Sequence, residues 1–250
     1  MDVRFWGTRG SLPASLNAGD VRAKIRNALE KAIEHGLGPE SDLDGFMDQH
    51  LRFSERATYG TNTSCIEIRD EDAFLLCDAG SGIRDFGNHI MSMEPDERPR
   101  TFHVVLSHLH WDHIQGFPFF APALVRDNRV TFYGCHPDLE KAFATQQSGP
   151  FFPLPFCDIG ADIRFQTLEP DREVEIAGFG VLPKEQNHPG KSFGYRFRRG
   201  GKSVIYSTDA EHKNEKEEDM RPFAAFFEGA DLLIFDAQYT FADACTVKED

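Results

Sequence analysis

The chain has 250 residues, 40% of them hydrophobic and 27% charged, with a formal net charge of −14; it is long enough for a full core and globular in composition. No run approaches the ~20 apolar residues that span a bilayer, and MDVRFWGTRG lacks the form of a secretory leader, so no membrane partner is expected. The acidic balance, with no Lys/Arg run to form a basic face, disfavours nucleic acid as a partner and favours a small-molecule substrate.

In chain order, VRFWG (3–7) predicts an opening strand. DVRAKIRNALEKAIEHG (20–36) places Val21, Ile25, Leu29 and Ile33 at every fourth position, an apolar helical stripe with Asp20 to cap its start and Gly36 beyond its end. SDLDGFMDQHLRF (41–53) follows with Leu43, Phe46, Met47 and Leu51 at helical spacing, opened by Ser41. Together they predict a helical hairpin inserted between strands, expected to pack on the sheet as a flap. An active-site lid and a dimer contact are the alternatives, and a homo-oligomer is compatible with the latter. SCIEIRDEDAFLLCDAG (64–80) reads as a strand hairpin turning at RDEDA, and a helix is predicted over 82–90. TFHVVLSH (101–108) is a buried strand, RVTFYG (129–134) and ADIRFQ (161–166) are further strands, and 137–147 is helical. FGYRFRRGGKSVIYSTD (193–209) is a hairpin by its Gly-Gly turn, followed by a helix over 216–228 and a strand in DLLIFDAQ (231–238). The five cysteines, Cys65, Cys77, Cys135, Cys157 and Cys245, are scattered without a CxxC pair. That is the usage of a reducing compartment and predicts a cytoplasmic protein.

The strand at 101–108 runs into SHLHWDHIQG (107–116), which holds three histidines and an aspartate within six positions. His108 and His110 are two apart, so in extended backbone both point the same way and can grip one ion. Asp112 and His113 come after the chain has turned and can reach a second. Mixed imidazole and carboxylate ligation suits zinc, with manganese or iron as alternatives, and argues against a thiolate structural site. GTRGS (7–11) and GSG (80–82) are weak glycine patterns, read as turns and not as a phosphate cradle. The loop-like segment QQSGPFFPLPFCDIG (146–160) is a candidate wall for the cleft, and Lys191 and Arg196 are candidate phosphate contacts.

HLHWDH resembles the HxHxDH signature of the metallo-β-lactamase superfamily. LLCDAGSG (75–82), NHPGKSFGYRF (187–197) and IYSTDAE (205–211) resemble that superfamily's first, third and fourth motifs. YGTNTSC (59–65) and FDAQYT (235–240) resemble its phosphodiesterase branch, which includes ribonuclease Z and small cyclic-phosphate phosphodiesterases. The resemblance covers residues 1–13 and 57–250. It implies one domain with an α+β four-layer αββα sandwich, residues 14–56 being a helical insertion. It also implies two divalent metal ions: His108, His110 and His188 on the first, Asp112 and His113 on the second, and Asp209 bridging both. Asp78 takes the position that orients ligands, and Asp112 that of the catalytic group directing the attacking hydroxide.

Two departures qualify the match. The family has a further ligand histidine downstream for the second metal, and this chain stops at CTVKED, so the end of the fold is expected to be missing and the second site one ligand short. His136 and His212 are candidate substitutes. At FDAQ, Phe235 and Asp236 stand where ribonuclease Z has a His-Glu pair, so proton transfer is expected to come from elsewhere. The implied activity is hydrolysis of a small phosphodiester, such as a cyclic nucleotide or cyclic phosphate, by a dimetal-activated hydroxide. A lactonase or thioesterase on the same metals, or a non-catalytic metal-bound sensor or accessory protein, is the alternative.

Overall fold

A computed structural model describes residues 1–70, 73–93, 100–211 and 217–237. A six-stranded sheet runs in sequence order through β1 (Asp2–Gly7), β2 (Cys65–Asp70), β3 (Ala73–Cys77), β4 (Thr101–Val105), β5 (Arg129–Gly134) and β6 (Asp162–Thr167). The first three strands are antiparallel, and β3 to β6 run parallel. The second sheet has β7 (Val174–Ile176), β8 (Phe179–Gln186), β9 (Ser192–Arg199), β10 (Lys202–Ser207) and β11 (Leu232–Phe235), in the order β11-β10-β9-β8-β7.

The sheets face each other across a core of Ile66, Ile68, Leu75, Cys77 and Val105 from the first and Phe179, Val181, Phe193, Tyr195, Phe197 and Val204 from the second. Each of these side chains contributes on the order of 1.5–3 kcal/mol by leaving water. The first sheet's other face is covered by α4 (Gly82–Ser92) and α6 (Leu139–Gln146), whose Ile83, Phe86, Leu139 and Phe143 are buried with Phe102, Val104 and Phe132. On the far side lies α7 (Glu217–Phe227), where Arg196 Nη1 of β9 donates to the Phe226 carbonyl at 3.1 Å. The result is the expected four-layer αββα arrangement. Among the described residues no helix is long and apolar enough to cross a membrane.

Strands β7 and β8 went unpredicted. They form a hairpin about Ala177 (φ 51°) and Gly178 (φ 77°), and β8 includes Pro183, a residue that argues against a strand, which pairs with Tyr195 of β9. The helical segment also differs from expectation. It comprises α1 (Ala18–Glu34), α2 (Leu43–His50) and α3 (Phe53–Arg56). Asn17, not Asp20, caps α1 by accepting from the Gly19 and Asp20 amides, and Asp20 returns a bond to the Asn17 amide. Asp42, not Ser41, caps α2 through the Gly45 amide at 3.0 Å. The apolar stripe does not pack on the sheet: Val21, Ile25, Leu29 and Ile33 are 44%, 55%, 58% and 79% exposed. Polar bonds hold α1 instead, Lys31 pairing with Glu55 at 2.8 Å and Lys24 donating to the Ala57 and Ser54 carbonyls. Only Phe46 and Leu51 of this segment's large apolar side chains are buried.

Candidate metal centre

Parallel strands deliver their carboxyl ends to one edge, and loops leaving that edge can converge on a common point. Asp78 follows β3 directly, and the segment from Ser107 to His113 follows β4. The facing sheet contributes His188 after β8 and Asp209 after β10. The chain turns at His110 (φ −61°, ψ 152°), the cap of the short helix α5 (Trp111–Ile114), which carries Asp112 and His113. Asp78 (φ 63°) and Asp209 (φ 43°) both adopt left-handed backbone, which aspartate tolerates better than most residues. Packing here leaves no room for side chains on the backbone: a Cβ on Gly116 would lie 2.0 Å from the Gly80 carbonyl oxygen.

All six expected ligands meet at this edge. The His108, His110 and His188 rings have centroids 4.5–4.9 Å apart, and each can present a nitrogen within 4.8 Å of the others. A second group with the same spacing comprises His108, His113 and Asp209. Asp209 stands between the two, its Oδ2 3.7 Å from His108 Nε2 and 3.8 Å from His188 Nε2, and its Oδ1 3.4 Å from His113 Nε2. Asp112 Oδ2 lies 3.1 Å from the same His113 nitrogen.

The donor atoms fit bound cations. His113 Nδ1 is engaged by Asp78 at 2.7 Å and His108 Nδ1 by Ser107 Oγ at 3.0 Å, which leaves Nε2 of both rings pointing into the cluster. Those two Nε2 atoms are buried without a hydrogen-bond partner, an arrangement that a metal ion would relieve. Burial pushes the His108 imidazole down to about 2, so it is neutral and ready to ligate. Burial also opposes charge on His113, but Asp78, Asp112 and Asp209 outweigh it and hold that ring protonated well above its ordinary range. Burial likewise opposes ionisation of Asp209, yet His113 keeps its carboxyl below the usual carboxylate range. In this cluster a proton on His113 balances carboxylates that a cation would otherwise neutralise.

Asp78 is fully buried and anchors the arrangement. It accepts from the Ser107 amide at 2.7 Å, the Ser107 hydroxyl at 2.8 Å, His113 Nδ1 at 2.7 Å and the Tyr206 hydroxyl at 2.5 Å. Tyr206 Oη in turn lies 2.6 Å from Ser64 Oγ. Ser107 and Tyr206 were not among the predicted site residues; only the polar end of the apolar run VVLS hinted at Ser107. The YGTNTSC segment also takes a structural role here. The Thr63 and Ser81 hydroxyls accept reciprocally from each other's amides at 2.8 and 2.9 Å, tying β2 to the turn after Asp78.

Other candidates fall outside the cluster. Among the described residues His136 joins neither ligand group, its ring packing on Phe193 at 5.2 Å; His212, like Cys245, lies outside the described residues. Lys191 pairs with Glu185 at 3.3 Å, and Arg196 donates to Ser203 Oγ and the Phe226 carbonyl, so both expected phosphate contacts have partners within the protein. From segment 146–160, Phe156 packs against the core, while Phe151 and Gln146 line an apolar cavity of 620 Å³ with Leu109, Trp111 and Ile114. A more polar cavity of 320 Å³ opens on Asp209 and reaches Thr8, Arg9, Ser64 and Asp236.

The family described as the beta-lactamase superfamily domain matches residues 74–246. No curated protein matches the sequence. Among solved structures, human tRNase Z, short form, aligns with a TM-score of 0.54 at 17% identity, over 100% of this chain and 83% of its own. The metallo-beta-lactamase fold protein YhfI from Bacillus subtilis aligns at 0.49 and 21% identity, over 70% of this chain and 64% of its own. A diphosphatase from the PhnP family aligns at 0.49 and 19% identity, over 68% and 59%. The chain thus spans less than two thirds of the length of the last two, and at these identities the likeness is one of fold.

Proposed function

This chain belongs to the beta-lactamase superfamily, whose members are mostly metal-dependent hydrolases, and from that premise we propose that it hydrolyses a small phosphodiester at a centre of two divalent cations. The observation that carries this reading is the pair of ligand groups sharing His108, with Asp209 between them and the Nε2 atoms of His108 and His113 buried without a hydrogen-bond partner. His108, His110 and His188 would hold one cation and His113 and Asp112 the other, with Asp209 shared. Zinc suits this donor set, with manganese and iron as alternatives.

Bound there, divalent cations would lower the pKa of a water and offset charge growing on a phosphoryl oxygen. The chain's own groups do the rest. Asp112, beside His113 Nε2 at 3.1 Å, orients the attacking water and accepts its proton. Asp78 holds the His113 ring by Nδ1 at 2.7 Å so that Nε2 stays aimed at the cluster. Asp236 lines the cavity that opens on Asp209 and plays a lesser part. The phosphodiester preference rests on YGTNTSC and FDAQYT, and the small size of the substrate on the net charge of −14. We place the protein in the cytoplasm, on the scatter of its cysteines.

A purified, metal-loaded sample assayed on a p-nitrophenyl phosphodiester beside a lactone and a thioester panel tests the reading. Turnover of the phosphodiester above the other two supports it. Preference for a lactone or thioester transfers the centre to carboxyl-ester hydrolysis, and no turnover of any reduces it to a metal-binding accessory.

A further inference from the structure

Lys191 and Arg196, the two basic side chains expected to contact phosphate, have partners within the protein. Arg9 differs. It sits on the GTRGS loop after β1 and lines the 320 Å³ cavity that has Asp209 on its wall. Its backbone amide donates to the Asn62 carbonyl at 2.9 Å and its Nε to the Gly60 carbonyl at 3.0 Å, so the segment 60–62 positions it at both ends. The loop leaves β1 where the backbone is closely packed: a Cβ on Gly7 would lie 1.8 Å from the Thr63 carbonyl oxygen. Among the described residues no carboxylate pairs with Arg9, and its two terminal nitrogens make no hydrogen bond.

The other polar groups on that wall are occupied. Ser64 bonds Tyr206, Ser207 donates to Gln186, Thr208 to Asp209 and Thr8 to the Tyr59 carbonyl. The Thr8 and Arg9 amides both go to Asn62 O, so neither is open to a phosphate. Arg9 is left as the side chain with unengaged N–H donors. A guanidinium fork with free donors matches an oxyanion. With Asp209 and Asp236 on the same wall, an anionic group enters only where a cation receives it.

We propose that Arg9 binds a second oxyanion group of the substrate, a phosphomonoester or a carboxylate, carried beside the scissile phosphodiester. The inference rests on the hydrolase reading above and narrows its substrate to a doubly anionic small molecule. A 320 Å³ cavity suits such a group and not a polynucleotide.

Three p-nitrophenyl phosphodiesters test it, their second alcohol neutral, phosphate-bearing or carboxylate-bearing. The wild-type protein should favour a charged ester over the neutral one in kcat/KM by on the order of tenfold, and Arg9→Gln should bring that ratio to about one. Which charged ester gains names the oxyanion. A wild-type preference for the neutral ester, or an unchanged ratio in Arg9→Gln, overturns the proposal. Calorimetric titration of the metal-loaded protein with pyrophosphate and with phosphate adds a readout free of turnover. Arg9→Gln should weaken pyrophosphate by about tenfold more than phosphate, and equal effects on the two overturn the assignment whatever ester is hydrolysed. If none of the three esters is hydrolysed, the phosphodiester reading fails and the titration alone decides for or against Arg9. Should circular dichroism show Arg9→Gln unfolded, Arg9→Lys, which keeps the charge and loses the fork, is titrated instead, with the same two outcomes.

Discussion

Asp78 gathers four donors on one buried carboxylate, and one of them, the Tyr206 hydroxyl, comes from the facing sheet three residues before Asp209. The bond therefore links the strand that delivers Asp209 to the carboxylate that aims His113. Removing it by Tyr206→Phe keeps the ring in the core and leaves Asp78 one donor short. Loss of an outer partner of this kind lowers metal affinity by roughly 10–100-fold, and chelator competition should show that loss at the His113 site alone; unchanged affinity would make the hydroxyl a packing group. His110→Ala should empty the first site, read as metal content after dialysis, since it removes one of three imidazoles there. Asp112→Asn should lower turnover by about 10²–10⁴-fold with the fold intact. Near-native turnover with both metals bound would remove Asp112 from the chemistry. The candidate ligands were legible as a cluster because HxHxDH compresses four of them into one loop, where spacing alone suggests chelation. Ser107, Tyr206 and Arg9 were not, because what they do depends on partners 29, 128 and 51 positions away.

At the scale of elements, nine of the eleven strands among the described residues were legible in apolar runs and turn residues, and the exceptions have a physical reason. Strand β7, at a sheet edge, is three residues long and too short to show a period, and β8, though its burial alternates, contains Pro183, which argues against a strand. Periodicity also identified α1, but a helical period says that one face is apolar and not what covers it. In this structure polar bonds from Lys24 and Lys31 fasten the helix while the stripe faces outward. Leu29→Ser and Ile33→Ser should therefore change unfolding free energy by no more than about 0.5 kcal/mol, whereas Leu51→Ala, 5% exposed, should cost about 2–5 kcal/mol. Denaturant melts of the three variants check this. A large loss at Leu29 or Ile33 would mean that the stripe is covered in solution, by the sheet or by a second copy. The close approach of Gly80 and Gly116 makes a companion prediction: Gly116→Ala forces the α5 loop away from the Asp78 turn and should weaken metal binding without touching a ligand.

Across the whole molecule, two sheets converge so that β3 and β4 on one side and β8 and β10 on the other place carboxylates and imidazoles at a single edge. This concentrates Asp78, Asp112 and Asp209 in a chain already at −14, and in the metal-free state one protonated His113 offsets them. Metal should therefore stabilise the fold as well as activate it, by about 2.7 kcal/mol when free metal is a hundred times its Kd. The two sites should differ. The first has three imidazoles and the shared Asp209, the second His113, Asp112 and the shared Asp209 among the described residues. One ion should bind tightly and the other loosely, with activity rising as metal is added. The measurement that tests this centre most directly is anomalous diffraction from crystals of the zinc-loaded chain. Two peaks are expected, one within roughly 2.0–2.2 Å of nitrogens of His108, His110 and His188 and a weaker one at the same distance from His113 Nε2, with Asp209 contacting both. No peak at the cluster, or a peak held by other residues, would contradict the assignment on which the proposed chemistry depends.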